Sequence, residues 1–103
     1  AGMIPKVLWA APYKVAEVMR EHGVENCVVV TRGTDWGNPF ILYMEKDRER
    51  VVRDFTLYAY WRLNLYPHWL DALKGKHLIC GEACRHKPCH ASVLLELVNR
   101  EGG

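Results

Sequence analysis

Three short apolar runs constrain this chain more than any other feature. Residues 5–10 (PKVLWA), 26–31 (NCVVVT) and 76–80 (KHLIC) are each too short for a helix and rich enough in apolar residues to be strands. The intervals between them are long enough to hold helices. After Pro12, Val15, Val18, Met19 and His22 recur at helical spacing, Lys14, Glu17, Arg20 and Glu21 take mostly the other side, and Gly23 supplies a stop, which predicts a helix over residues 12–22. Residues 47–63 carry Val51, Val52, Phe55, Ala59 and Arg62 along one stripe behind a cap at Asp47, and residues 67–73 predict a short helix ending before Gly75. A last helix starts at Pro88 or Cys89, turns Val93, Leu94, Leu97 and Val98 inward, and ends at Gly102. This order predicts an α/β fold, a small and mostly parallel sheet of three or four strands covered by helices. The β-branched run at 26–31 is expected as the central strand, and residues 41–44 as either a minor strand or the end of a loop.

Composition narrows the class. A chain of 103 residues, half apolar and a quarter charged, is expected to form one domain over residues 3–103 that buries about two-thirds of its unfolded surface without help from a metal or disulfide. Ala1 and Gly2, ahead of Met3, read as a cloning scar. No apolar run approaches the roughly 20 residues of a membrane span, and the first residues lack a signal-peptide pattern, so a cytoplasmic protein without membrane partners is expected. In that reducing compartment the four cysteines should be free or metal-bound. A net charge of +2 is too small to announce nucleic-acid binding by itself.

Two segments hold the residues that carry chemistry. The first, Arg32 to Phe40, reads RGTDWGNPF, a loop of turn-forming residues that follows a strand directly and contains two aromatic side chains. The aromatic rings either fold back to plug the core edge or line a pocket, in which Arg32 would bind an anion with its planar fork. The second runs from the third strand through Cys80, Cys84, His86, Cys89 and His90 into the last helix, and gathers three of the four cysteines and three of the five histidines. A strand that ends in such a cluster and feeds a helix N-terminus is where α/β proteins place a ligand.

These blocks together resemble a known family. Arg32, Trp36, Gly37, Asn38, Pro39 and Phe40, then Leu73, Lys74, Gly75, Lys76, Leu78 and Cys80, then Pro88, Cys89, His90 and Leu94, follow the pattern of the phage and bacterial domain of unknown function numbered four-three-two-six. The likeness covers most of the chain from about Val28 onward. It implies a shared site, often found in mobile-element genomes, and brings no established activity. That family usually places two cysteines one residue apart before the Cys-His pair, whereas Cys80 and Cys84 here are separated by three residues. A second uncharacterised α/β family, with a Leu-Leu-Cys-x-Glu and Cys-His-Arg signature, is similar around Ile79 to Glu82 and at Cys89 and His90, with Ala91 in place of its arginine.

Three chemistries remain open for the cluster. Arg32, Trp36, Gly37, Asn38, Cys89 and His90 suit a pocket for a phosphate-bearing ligand: a nucleotide, a nucleotide derivative or nucleic acid. Cys80, Cys84, Cys89 and His90 are a set that can hold zinc, the one cofactor the sequence suggests, in a structural or interaction module. Cys89 as thiolate with His90 as base would make a cysteine-dependent enzyme on a nucleotide-like substrate. A basic rim of Lys74, Lys76, Arg85 and Lys87 serves a nucleic-acid or protein partner equally, and the aromatic run Tyr58 to Trp61 fits a monomer's core flank or a homodimer interface.

Overall fold

A computed structural model describes residues 3–102, with side chains to residue 100, so the reading of Ala1 and Gly2 lies outside it. β1 (Val7–Ala10), β2 (Cys27–Val29) and β3 (His77–Gly81) form a parallel sheet in the order β1-β3-β2. Leu8 pairs with Ile79 on one side of β3, and Val28 with Leu78 on the other. α1 (Val15–His22) follows β1, α2 (Arg48–Leu65) lies between β2 and β3, and α3 (His90–Gly102) follows β3. The α/β class and the parallel sheet predicted from the three apolar runs are therefore present, with three strands.

Period-two alternation sorts each strand between two cores. Val7, Trp9, Val28, Val30, Leu78 and Cys80 turn toward α2 and α3, where they meet Phe55, Ala59, Leu94 and Val98. Leu8, Ala10, Cys27, Val29 and Ile79 turn the other way and meet Val15, Val18 and Met19 of α1. Helices thus cover both faces of the sheet.

The central strand is β3, not the run at 26–31. Both runs are apolar because both are covered on two faces, and period alone does not tell a covered edge from a centre. The first four residues of β3 are all buried, whereas two of the three in β2 are only half-buried. Residues 41–44 complete a loop rather than a fourth strand, and the short helix expected at 67–73 is a turn followed by one 3-10 turn, Asp71–Leu73. Trp69 explains that second difference. Its indole N–H donates to the Asp35 carbonyl at 3.0 Å, while its own carbonyl accepts the Trp36 indole N–H at 3.0 Å. The pair binds the segment to the loop after β2, a long-range constraint that overrides weak local helix propensity. In the aromatic run, Ala59 is buried, Tyr58 is half-buried against Phe55 and Trp69, and Tyr60 and Trp61 are exposed.

Candidate functional site

Parallel strands end on one edge, and there the sequence places its chemistry. β3 leads through a 3-10 turn, Glu82–Cys84, into a tight connection in which His86 takes a left-handed backbone (φ 58°) and tilts against Trp9, with 4.9 Å between ring centroids. This turn brings Cys80 from the strand, Cys84 from the connection and Cys89 from the residue before α3 together. Their sulfur atoms all lie within 4.8 Å of one another. Cys80 and Cys89 are buried and Cys84 is half-buried. All four cysteines are unpaired, with Cys27 in the core against α1.

Sequence reasoning missed the residue that sets the electrostatics of this cluster. Arg48, at the start of α2 and 8 % exposed, donates Nε and Nη2 to the two carboxylate oxygens of Glu45, each at 2.8 Å. Its Nη1 donates to the Pro88 carbonyl at 3.1 Å and to Cys84 Sγ at 3.4 Å. The signal was available: Arg48, Val51, Phe55, Ala59 and Arg62 share the same 3–4 residue spacing, so the buried stripe extends back one turn to an arginine. Asp47 stands at the N-cap position but makes no side-chain cap, pairing instead with Arg50 at 3.7 Å.

The charge states follow from these contacts. Hydrogen bonds from Cys80 and Cys89, joined by Arg48, hold the Cys84 thiol far below its usual range despite burial. Cys80 moves the other way, raised by its hydrogen bonds to Cys84 and Cys89 and by burial. Arg48 holds the Glu45 carboxyl down at about 2, with Lys87 3.5 Å away adding to the effect. The cluster is arranged to carry negative charge on Cys84 beside a fixed cation.

His90 does not join the sulfur group. Its Nε2 bonds the Val30 carbonyl at 2.5 Å, its ring packs edge-on to Phe55 at 5.3 Å, and burial lowers its pKa. The backbone carbonyl fixes the proton on Nε2, and burial, outweighing that bond, favours the neutral imidazole. No hydrogen bond joins His90 to Cys89 among the described residues.

The loop after β2 reaches the same edge. Gly37 packs against the strand end so closely that a Cβ would stand 2.8 Å from the Thr31 carbonyl oxygen and 2.9 Å from Arg32 Cα. That approach lets the Asn38 carbonyl accept a hydrogen bond from Arg32 Nη1, while Asn38 Oδ1 accepts the Phe40 N–H at 2.8 Å. Trp36, by contrast, directs its N–H to Trp69 and packs on the core. A cavity of about 650 Å³ opens at the strand ends on the α1 side, lined by Val15, Val29, Arg32, Cys80, Cys84 and His90 among others. A smaller one of about 50 Å³ lies behind it, where Arg32, Asn38 and His90 meet Arg48, Cys84 and Cys89. Arg32, Cys84 and His90 line both cavities, and Trp36 and Gly37 line neither.

No helix among the described residues is long and apolar enough to cross a membrane. No solved structure matches the chain. An uncharacterised 12.4 kDa protein from the nrdA-td intergenic region of Enterobacteria phage T4 is 30% identical over 93 residues, covering 84% of this chain and 81% of the phage protein. The match to the domain of unknown function DUF4326 runs over residues 9–100, taking in the end of β1 and all of α1 as well as both motif blocks, and the chain belongs to that family.

Proposed function

We propose that this protein binds one zinc ion through Cys80, Cys84 and Cys89, with the metal forming part of the wall of a ligand pocket. The convergence of three sulfur atoms within 4.8 Å carries the reading. Tetrahedral zinc with Zn–S bonds of about 2.3 Å needs sulfurs about 3.8 Å apart, which small side-chain rotations supply. Three thiolates around a divalent ion leave one negative charge, and Arg48 stands where it offsets that charge. With His90 bonded to Val30, the fourth position falls to water or to a ligand rather than to the histidine. Untagged protein should carry close to one zinc per chain, and Cys84→Ser should lose it. Chelation should lower the melting temperature, since metal binding at a hundred times the dissociation constant contributes about 2.7 kcal/mol. Protein that purifies without metal, and whose stability does not respond to added zinc, would overturn the reading.

Arg32 supports a second reading of the same edge, in which the 650 Å³ cavity takes a phosphate-bearing ligand. The volume falls in the range of small-molecule sites, and the cavity joins apolar walls to one guanidinium. Nucleotides, nucleotide sugars and short single-stranded DNA are the compounds to screen by thermal shift. Arg32→Ala should weaken binding of a hit by about 1.5–3 kcal/mol and, by leaving the Asn38 carbonyl without its donor, lower stability by about 1 kcal/mol. A steep loss of affinity with salt would identify nucleic acid rather than a small molecule as the partner. If no anion in the set shifts the melting temperature, the ligand reading fails while the zinc reading stands. A thiol-dependent reaction in this pocket would draw on Cys84, half-buried and with its pKa lowered by its hydrogen bonds, before Cys89, which is 2 % exposed.

A further inference from the structure

The phase of the hydrogen bonds in the sheet shows which groups of β1 lack a partner. Leu78 N–H donates to the Lys6 carbonyl, and Lys6 N–H donates to His77 Nδ1, so residue 6 faces β3. In a parallel ladder each strand turns alternate residues toward its neighbour, so Leu8 and Ala10 face β3 as well. Val7 and Trp9 therefore direct their N–H and C=O groups to the free edge of the sheet. Of these four groups, the Trp9 carbonyl accepts from Arg85 Nη2 at 3.1 Å. No protein partner meets the Val7 N–H, the Val7 carbonyl or the Trp9 N–H among the described residues.

This edge lies in a groove. Two adjoining cavities of about 330 and 390 Å³ run along it, and between them every residue from Lys6 to Ala11 contributes to their walls. Val18 and Arg85 line both. Lys6, Lys14 and Arg85 bring three cations to the groove; Lys14 pairs with Glu17 at 3.7 Å and Arg85 bonds Glu82 at 2.7 and 2.8 Å, so Lys6, across from Glu21, is the one without a carboxylate partner among the described residues.

We infer that the β1 edge is a docking site for an extended segment of another protein, which adds a strand to the sheet and carries apolar side chains with one acidic residue. The unpaired groups select this occupant, because donors and acceptors that recur every second residue along a straight edge match another extended backbone, and neither a helix nor a nucleic acid presents that repeat. Val18 supplies an apolar wall for the incoming side chains, and Lys6, in no ion pair among the described residues, supplies the preference for a carboxylate. Arg85 caps the one carbonyl that is already satisfied, guards the edge against unspecific pairing, and is exposed enough to move to an incoming carboxylate.

The test uses synthetic, capped pentapeptides of alternating valine and threonine, with a single glutamate moved through each position, titrated into the whole protein while backbone amides are followed by NMR. The Val7 and Trp9 amides should shift and gain protection from exchange, with dissociation constants below about 1 mM for at least one glutamate position. Val7→Pro is the decisive variant. It removes an N–H that pairs with nothing in the fold but also a side chain packed on the core, so its melting temperature should match that of a Val7→Ala control while its peptide affinity falls about tenfold or more below that control. Leu8→Pro, which breaks a bond to β3, serves as the control that should destabilise. The inference is overturned if no peptide of the series binds, or if Val7→Pro folds and binds as the parent does. It is also overturned if the protein self-associates and Val7→Pro makes it monomeric, because the edge would then belong to a second copy of the chain.

Discussion

Arg48 shows what a single buried charge contributes here. Fixed by both oxygens of Glu45, its guanidinium stands beside Cys84 in advance of any ligand and favours a thiolate there. Arg48→Met keeps much of the side-chain volume and removes the charge. Zinc affinity, measured by competition with a chromophoric chelator, should fall about 10- to 100-fold, the usual effect of losing a group that supports a metal ligand. An unchanged affinity would mean that the thiolates need no compensation. At this scale Cys80, Cys84 and Cys89 were legible as a group, because residues so close in sequence around one turn have few ways to be apart. His90 as their fourth member was not, since the Val30 carbonyl that takes its Nε2 lies 60 residues away. The same distance in sequence hid Arg48, whose partners Cys84 and Pro88 lie 36 and 40 residues on.

Among the elements, the loop after β2 and the connection before β3 act as one piece through the exchanged bonds of Trp36 and Trp69. Arg62 of α2 lies over the Trp69 ring at 4.9 Å and donates to the Tyr58 hydroxyl, so α2 is fastened to the same piece. Trp36→Phe should cost about 1–2 kcal/mol in urea unfolding by leaving the Trp69 carbonyl without its donor, and should leave zinc content unchanged. A loss of zinc as well would place Trp36 in the site itself. The helices were readable from spacing, because α2 and α3 each bury a stripe and α1 packs Val15, Val18 and Met19, half-buried, on the sheet. Residues 67–73 show the limit of such reading: Trp69, Leu70 and Leu73 fit a helical stripe, yet Trp69 bonds to Asp35 and the segment turns instead. Continuous apolar runs likewise marked three strands without revealing which lay in the middle.

For the molecule as a whole, acid stability should follow the two buried histidines. His77 accepts the Lys6 N–H through Nδ1, and burial, with His22 and Lys6 nearby, lowers its pKa; burial lowers that of His90 as well. The fold favours the neutral form of both, whose pKa is about 6.5 when unfolded, so below that pH the unfolded chain binds more protons. Their contribution is complete above pH about 6.5 and declines as the pH falls toward the lower folded values, by up to about 1.4 kcal/mol per pH unit for each histidine. Urea midpoints measured from pH 7 to pH 5 should fall accordingly, and His77→Gln should flatten part of the slope. A flat profile in the parent protein would show that neither ring is protected. The order β1-β3-β2 also bears on how the chain is made. β1 and β2 touch β3 and not each other, so the first two strands to leave the ribosome have no neighbour until the third follows. At about 5–20 residues per second, β1 waits on the order of seconds with both edges bare, which exposes the nascent chain to chaperones and proteases until β3 closes the sheet.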